Sequence, residues 1–183
     1  YNTSYIQGVG LGSVTDALAA INHQVFIEGN LSFSELLNAL EDDFRNHESL
    51  QHELIYNAPK YGNDDDRADN LAVKVFDIFL NSVDGRTTYR GGIYRINMLP
   101  TTSHVYFGSV VGATPDGRNA GQPLSEGISP FQGVDMKGPT AVLKSASKID
   151  HLKTGGTLLN QKFAPSFFNN EDSIIKLGAL VRS

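Results

Sequence analysis

The hydrophobic period of the chain changes near residue 90, and that change limits its fold more than any other feature. Up to Val83 apolar residues recur every three to four positions, the spacing of helices packed on one face. Beyond Gly85 that spacing is lost. Short alternating runs then stand between glycines and prolines, and most of the 18 glycines fall after residue 84. Pro115, Pro123, Pro130 and Pro139 punctuate one stretch, 112–139, which reads as an ordered loop or a linker. The chain is therefore α/β, with a helical first half (1–85) and a half of strands and Gly/Pro-rich loops (86–183).

Local signals divide the first half into four helices. Val14, Leu18, Ile21 and Val25 share one face after Gly12-Ser13, and Gly29-Asn30 ends that helix. Ser32 with Glu35 three residues on forms a capping box, followed by a stripe of Phe33, Leu36, Leu37, Leu40 and Phe44. A weaker helix, 48–57, stops before Pro59. Asn63 to Asp66 cap the fourth, whose broad face of Leu71, Val75, Phe76, Phe79, Leu80 and Val83 calls for a sheet to pack on.

In the second half Tyr94, Ile96 and Met98 alternate with Arg95, Asn97 and Leu99, predicting a strand that Pro100 ends. No strong strand is expected before Gly8. Shorter extended pieces are expected at 105–107, 110–111, 142–143 and 157–163, a helical turn near 145–151, and a last helix opening at Asn169 or Asn170.

Composition removes several functions. Fifteen Lys and Arg against twenty Asp and Glu give a net charge of −5 and a pI near 5.4, which argues against a nucleic-acid partner. No apolar run reaches the roughly 18 residues of a membrane span, and no secretory signal opens the chain, so a cytoplasmic setting is expected. Without cysteine there is no disulfide, zinc ribbon, iron–sulfur ligation or thiol nucleophile within this sequence. No metal site is expected either. The five histidines never pair at i, i+4, and Asp64-Asp65-Asp66 with Asp69 reads as a helix cap and solvated face. His104 is the histidine best placed for a pocket, a packed structural histidine being the alternative. Gly8, Gly10 and Gly12 precede a helix, but Ser13 breaks the dinucleotide pattern, and Ser125 and Ser129 sit in no nucleophile elbow.

Linked motifs carry a more specific message. Gly112-Ala113-Thr114-Pro115-Asp116-Gly117-Arg118, the run Pro123 to Pro130, Gly138 to Val142 and Gly155 to Asn160 closely resemble the glycyl radical enzymes, the pyruvate formate-lyase-like family. Gln7 to Gly10 and Tyr61 to Asp66 fit as well. The wording is nearest the dehydratase and lyase branch, which includes glycerol (diol) dehydratase, hydroxyproline dehydratase and choline trimethylamine-lyase.

That resemblance implies a ten-stranded α/β barrel around two loops, one bearing a thiyl-forming Cys with a nearby Glu, the other a radical Gly within Arg-Val-x-Gly-Tyr. This sequence contains neither, so by family order the Cys loop would precede Tyr1 and the glycine-radical domain would follow Ser183. No catalytic residue is then expected in the chain itself, which reads as an internal segment, inactive alone, of an enzyme that cleaves C–O or C–N bonds. The implied partners are a small polar substrate, the rest of the barrel, an S-adenosylmethionine iron–sulfur activating enzyme that installs the glycyl radical, and a second copy in a homodimer. No bound cofactor is implied, and a bacterial microcompartment is the alternative location. Tyr94, Ile96, Met98 and Thr101 are the expected substrate-facing residues, ordinary barrel core being the other reading of the same alternation. Arg118 is expected to clamp its loop through its guanidinium fork. Phe76, Phe79, Leu80, Phe163, Phe167 and Phe168 would find part of their packing outside the chain. A degenerate binding or assembly module and a pyruvate formate-lyase relative remain open as alternatives.

Overall fold

Thr3–Gln7 forms a strand, β1, that lies parallel to β2, Ile93–Asn97, with Ile6 opposite Ile96 and Gln7 opposite Asn97. A computed structural model describes residues 2–182; Tyr1 and Ser183 fall outside it. β1 is a correction to the sequence reading, because a strand does precede Gly8. Its residues alternate weakly in polarity, and its pairing depends on a partner some 90 residues away. Among the described residues this is a mixed α/β arrangement around a two-stranded parallel sheet.

The helices α1 (Leu11–Ile21), α2 (Phe33–Glu41), α3 (Glu48–Tyr56) and α4 (Asp66–Val83) occupy the first half as expected. A π-helical turn, Asn22–Ile27, extends α1. Ser32 and Glu35 make both bonds of the capping box, and Asp65 caps α4 by accepting from the Arg67 N–H. The α2 stripe is shorter than expected: the helix stops at Glu41, and Phe44, at φ 59°, turns back into the core.

Three expectations for the second half are overturned. Residues 105–107 and 110 lie in a helix, α5 (Ser103–Val110), and 142–143 lie in another, α6 (Pro139–Ser147). At 157–163 the one ladder contact among the described residues is a single bridge from Thr157 to Met98. Pro139 at the first turn of α6 presets its backbone and needs no N–H partner, and that outweighs the β-propensity of Val142. A short 3₁₀ turn (His151–Lys153) and a second one (Pro165–Asn169) lead to α7, Glu171–Arg182.

Two cores result. Leu11, Tyr61, Ala72, Phe76, Ile96, Met98, Ile128 and Ile149 pack between α1, α4, the sheet and α6. Leu31, Leu36, Phe44 and Leu54 form the second, under α2 and α3.

Candidate functional site

β1 and β2 run the same way and finish side by side at Gln7 and Asn97. The loops leaving their carboxyl ends, 8–10 and 98–102, form one rim, and in parallel α/β sheets ligands bind beyond that edge. The segment 124–130 lies across it. Ser125 C=O accepts from the Gly10 N–H at 3.1 Å, and Ser13 and Ser125 exchange bonds, each hydroxyl accepting from the other's backbone N–H (3.0 and 2.8 Å). The Tyr61 hydroxyl donates to Ile128 C=O at 3.1 Å, and Ser129 Oγ accepts from the Asn160 N–H at 3.0 Å.

Gly127 permits this fit. Its φ is 49°, and a Cβ there would stand 2.3 Å from Leu158 C=O. Gly127→Ala in the full-length protein is expected to cost about 2 kcal/mol or more, through left-handed strain and collision with backbone. Denaturant unfolding together with hydrogen exchange at 124–130 measures it; unchanged protection there contradicts the account.

Upstream, Arg118 organises the loop as the sequence suggests. Buried to 4% exposure, it donates from Nε to Thr114 Oγ1 (3.1 Å), from Nη1 to Asn119 C=O (3.0 Å) and Gln122 C=O (2.6 Å), and from Nη2 to the carbonyls of Val111 and Gly112. Asp43 anchors the far side, its Oδ1 accepting from the Ala120 N–H at 2.7 Å.

The four residues expected to face substrate are not brought together. Ile96 and Met98 are buried in the core with Phe76, with Phe79 packed against them, which is the core reading of the alternation. Tyr94 is half-buried on the same strand face, and Thr101 is exposed in the loop beyond Pro100. Alternation turns Arg95 and Asn97 to the other face. Arg95 Nη1 reaches aside to Asp84, at 3.1 Å. Asn97 is 7% exposed, its Oδ1 is buried, and that oxygen has no hydrogen-bond partner among the described residues. His104, at the start of α5, is buried with Nδ1 likewise unpartnered. Sequence reading did not single out Asn97, an uncharged polar residue inside a parallel strand, where both faces normally read apolar.

Behind the rim lies a buried polar group of residues. Asp16 on α1 accepts from the Tyr61 N–H at 2.7 Å, and burial pushes its carboxyl up to about 8 despite the opposing pull of Lys60. Burial also lowers the Lys60 ammonium, which donates to Asp116 C=O at 3.1 Å. A carboxyl whose pKa is higher folded than unfolded (about 4) binds its proton more tightly in the native state. Its contribution is therefore full below pH ~4 and is lost as pH rises toward ~8. Asp16→Asn keeps the acceptor for Tyr61 and removes the titration, so the fall in stability from pH 5 to 8 is expected to be shallower in the variant. Chemical unfolding at several pH values tests this, and parallel curves would refute it.

The acidic run has a structural use. Lys148, at the C-cap of α6, contacts Asp64, Asp66 and fully buried Asp69 at 3.4, 2.8 and 2.7 Å, and Ser145 Oγ on α6 donates to Asp69 at 2.9 Å. This fastens α6 to the start of α4. Among the described residues no group of three or more His, Cys, Asp or Glu stands where it could hold a metal ion. No helix among them is long and apolar enough to cross a membrane.

Residues 1–108 match the family description "Pyruvate formate lyase-like", and residues 124–183 match "Glycine radical". The chain belongs to the pyruvate formate-lyase-like family of glycyl radical enzymes. It is 51% identical, over its whole length, to trans-4-hydroxy-L-proline dehydratase of Clostridioides difficile and spans 23% of that protein. It superposes on the crystal structure of that organism's hydroxyproline dehydratase, with substrate bound, at a TM-score of 0.95 over 100% of this chain and 23% of the other. The glycerol-bound, B12-independent glycerol dehydratase of Clostridium butyricum follows at 0.92, with 45% identity and the same two coverages. Isethionate sulfite-lyase of Desulfovibrio desulfuricans is 38% identical over 100% of this chain and 22% of its own length. The chain thus spans about a quarter of the length of the relatives it matches.

Proposed function

We propose that this chain is a wall segment of a glycyl radical dehydratase or lyase acting on a small polar substrate such as glycerol, a 1,2-diol or a similar hydroxylated molecule. The observation that carries this reading is the parallel sheet whose carboxyl ends are roofed by a tightly bonded 124–130 loop. In the whole enzyme β1 and β2 would be two strands of a ten-stranded barrel, and the cavity they line would exclude water and oxygen from the substrate radical. The thiyl-forming Cys, the acid/base Glu and the radical Gly would come from segments outside this chain, since it contains no Cys and no Arg-Val-x-Gly-Tyr. The radical would be installed by an S-adenosylmethionine iron–sulfur activating enzyme, and two copies would form the working dimer in the cytoplasm.

The test is made on the full-length protein, without oxygen, with activating enzyme and S-adenosylmethionine. A glycyl doublet in the paramagnetic resonance spectrum and turnover of a diol, hydroxyproline or choline are expected. No radical refutes the enzyme reading; turnover of pyruvate with coenzyme A instead moves the protein to another branch.

A further inference from the structure

Away from the strand ends, the molecule carries its charge unevenly. Residues 1–59 hold eight Asp and Glu against one base, Arg45, whereas 60–183 hold fourteen bases and twelve acids. Six of the eight, Glu28 and Glu41 among them, are exposed on and beside α2 and α3. Arg45 is turned back on its own loop, donating from Nε to Asp42 C=O at 3.0 Å. Neither Glu28 nor Glu41 meets a base among the described residues.

A small apolar patch lies within this acidic face. In the π-helical turn that extends α1, the Glu28 N–H donates to His23 C=O, five residues back, at 2.9 Å. In an α-helix the residue three beyond buried Gln24 would share its face. In the wider turn it does not, and Ile27 is 60% exposed beside Phe26 at 66%. The Phe26 ring meets Phe33 of α2 edge to face at 5.6 Å, and Leu37 stands one turn further along that helix, also exposed. Glu28 follows Ile27 directly, and Glu41 stands one turn beyond Leu37, so carboxylates bracket four apolar side chains.

Three occupants are at odds with that pattern. A second copy meeting this face symmetrically would set carboxylate against carboxylate. An anionic lipid surface is repelled for the same reason. Burial beneath the rest of a barrel would desolvate the bracketing carboxylates, whereas an apolar centre with a charged rim left in water is the anatomy of a protein–protein contact.

We propose that the π turn and α2 form a docking surface for a separate protein, which presents an amphipathic helix with an apolar stripe flanked by Lys and Arg. From Phe33 to Glu41 the face runs about 12 Å along α2, enough for two turns of such a helix. Its apolar stripe covers Phe26, Phe33 and Leu37, with the aromatic pair as the anchor, and its cations meet Glu28 and Glu41 at the rim. This surface goes beyond the enzyme reading and does not rest on it.

The experiment uses the full-length protein and two synthetic helical peptides of about five turns with the same apolar stripe, one flanked by Lys and Arg, the other by Glu. Both are titrated by fluorescence anisotropy into wild type, Phe26→Ser/Phe33→Ser, Glu28→Lys/Glu41→Lys and a control on α3, Glu48→Lys/Glu53→Lys. The basic peptide is expected to bind wild type and control alike, and about tenfold or more tighter than the acidic one. The serine variant is expected to lose about tenfold or more with its melting temperature unchanged, and the lysine variant at 28 and 41 to prefer the acidic peptide. That lysine variant decides alone if the serines prevent folding. Equal affinity of the basic peptide for wild type and both patch variants overturns the proposal, because the attraction is then diffuse. Wild type that binds neither peptide overturns it by showing the face to be covered by the rest of the polypeptide. A dimer that separates only in the serine variant overturns it in favour of a second copy.

Discussion

A polypeptide of residues 1–183 produced alone is expected to aggregate or to melt without a sharp transition. The exposed apolar groups explain why: Leu152 is 97% exposed, Met136 82%, Val181 80% and Val110 69%. Tyr106, Phe26, Ile78 and Ile175 are also exposed, and one edge of β1 is unpaired among the described residues. Burying one such side chain is worth about 1.5–3 kcal/mol, so leaving several in water can cancel a typical net stability of about 5–15 kcal/mol. The residues responsible differ from those the sequence suggests. Phe76 is fully buried, Phe79 and Leu80 pack against the core, and Phe167 meets Phe163 at 5.3 Å and Phe168 edge-on at 5.8 Å, Phe168 remaining half-exposed. The exposed apolar surface belongs instead to α5, α7, the 136 and 152 turns, Phe26 and the outer face of α4 at Ile78. Size-exclusion chromatography and a thermal scan decide the matter. A soluble monomer with a cooperative melt above about 45 °C would show the argument wrong.

In the full-length protein Arg118→Ala is expected to be among the most damaging single substitutions in this segment, at about 3 kcal/mol or more. Four carbonyls and one hydroxyl lose a charged donor together, only the Val111 and Asn119 carbonyls keeping a backbone N–H, and hydrogen bonds to charged groups are worth about 1.5–3 kcal/mol each. Arg118→Lys should recover little, because a single ammonium cannot span acceptors arranged around a planar fork. Unfolding in denaturant and exchange protection at 111–124 report it. A lysine variant as stable as wild type would refute the fork argument.

How much could be read beforehand depended on where each residue's partner lies in the sequence. α2 and α4 were legible because their caps and apolar faces are local, Ser32 with Glu35 and Asp65 before Leu71 to Val83. The Arg118 clamp was legible for the same reason, its acceptors lying within eight residues. β1 was not, since Thr3 to Gln7 gains its structure from β2. α5 was misread because Val105, Tyr106 and Phe107 favour strands individually, and their exposure leaves no helical stripe to detect. In the site, alternation placed Tyr94, Ile96 and Met98 on one face correctly but could not say which face a helix would cover. That depends on where α4 packs against β2, which no local signal in the sequence reports.

The bonds that fasten α6 and the 124–130 loop have a consequence for how such enzymes diversify. The two family regions, 1–108 and 124–183, meet at a loop that looks like a natural seam for exchange between relatives. Ser13 with Ser125, Tyr61 with Ile128 and Asp69 with Lys148 cross that seam from one region to the other. A chimaera joined there is expected to hold together only if Ser13 comes with Ser125 and Asp69 with Lys148, whereas the Ile128 carbonyl is backbone and any donor sequence supplies it, so the seam is closed by two side-chain pairs and not by the length of the loop.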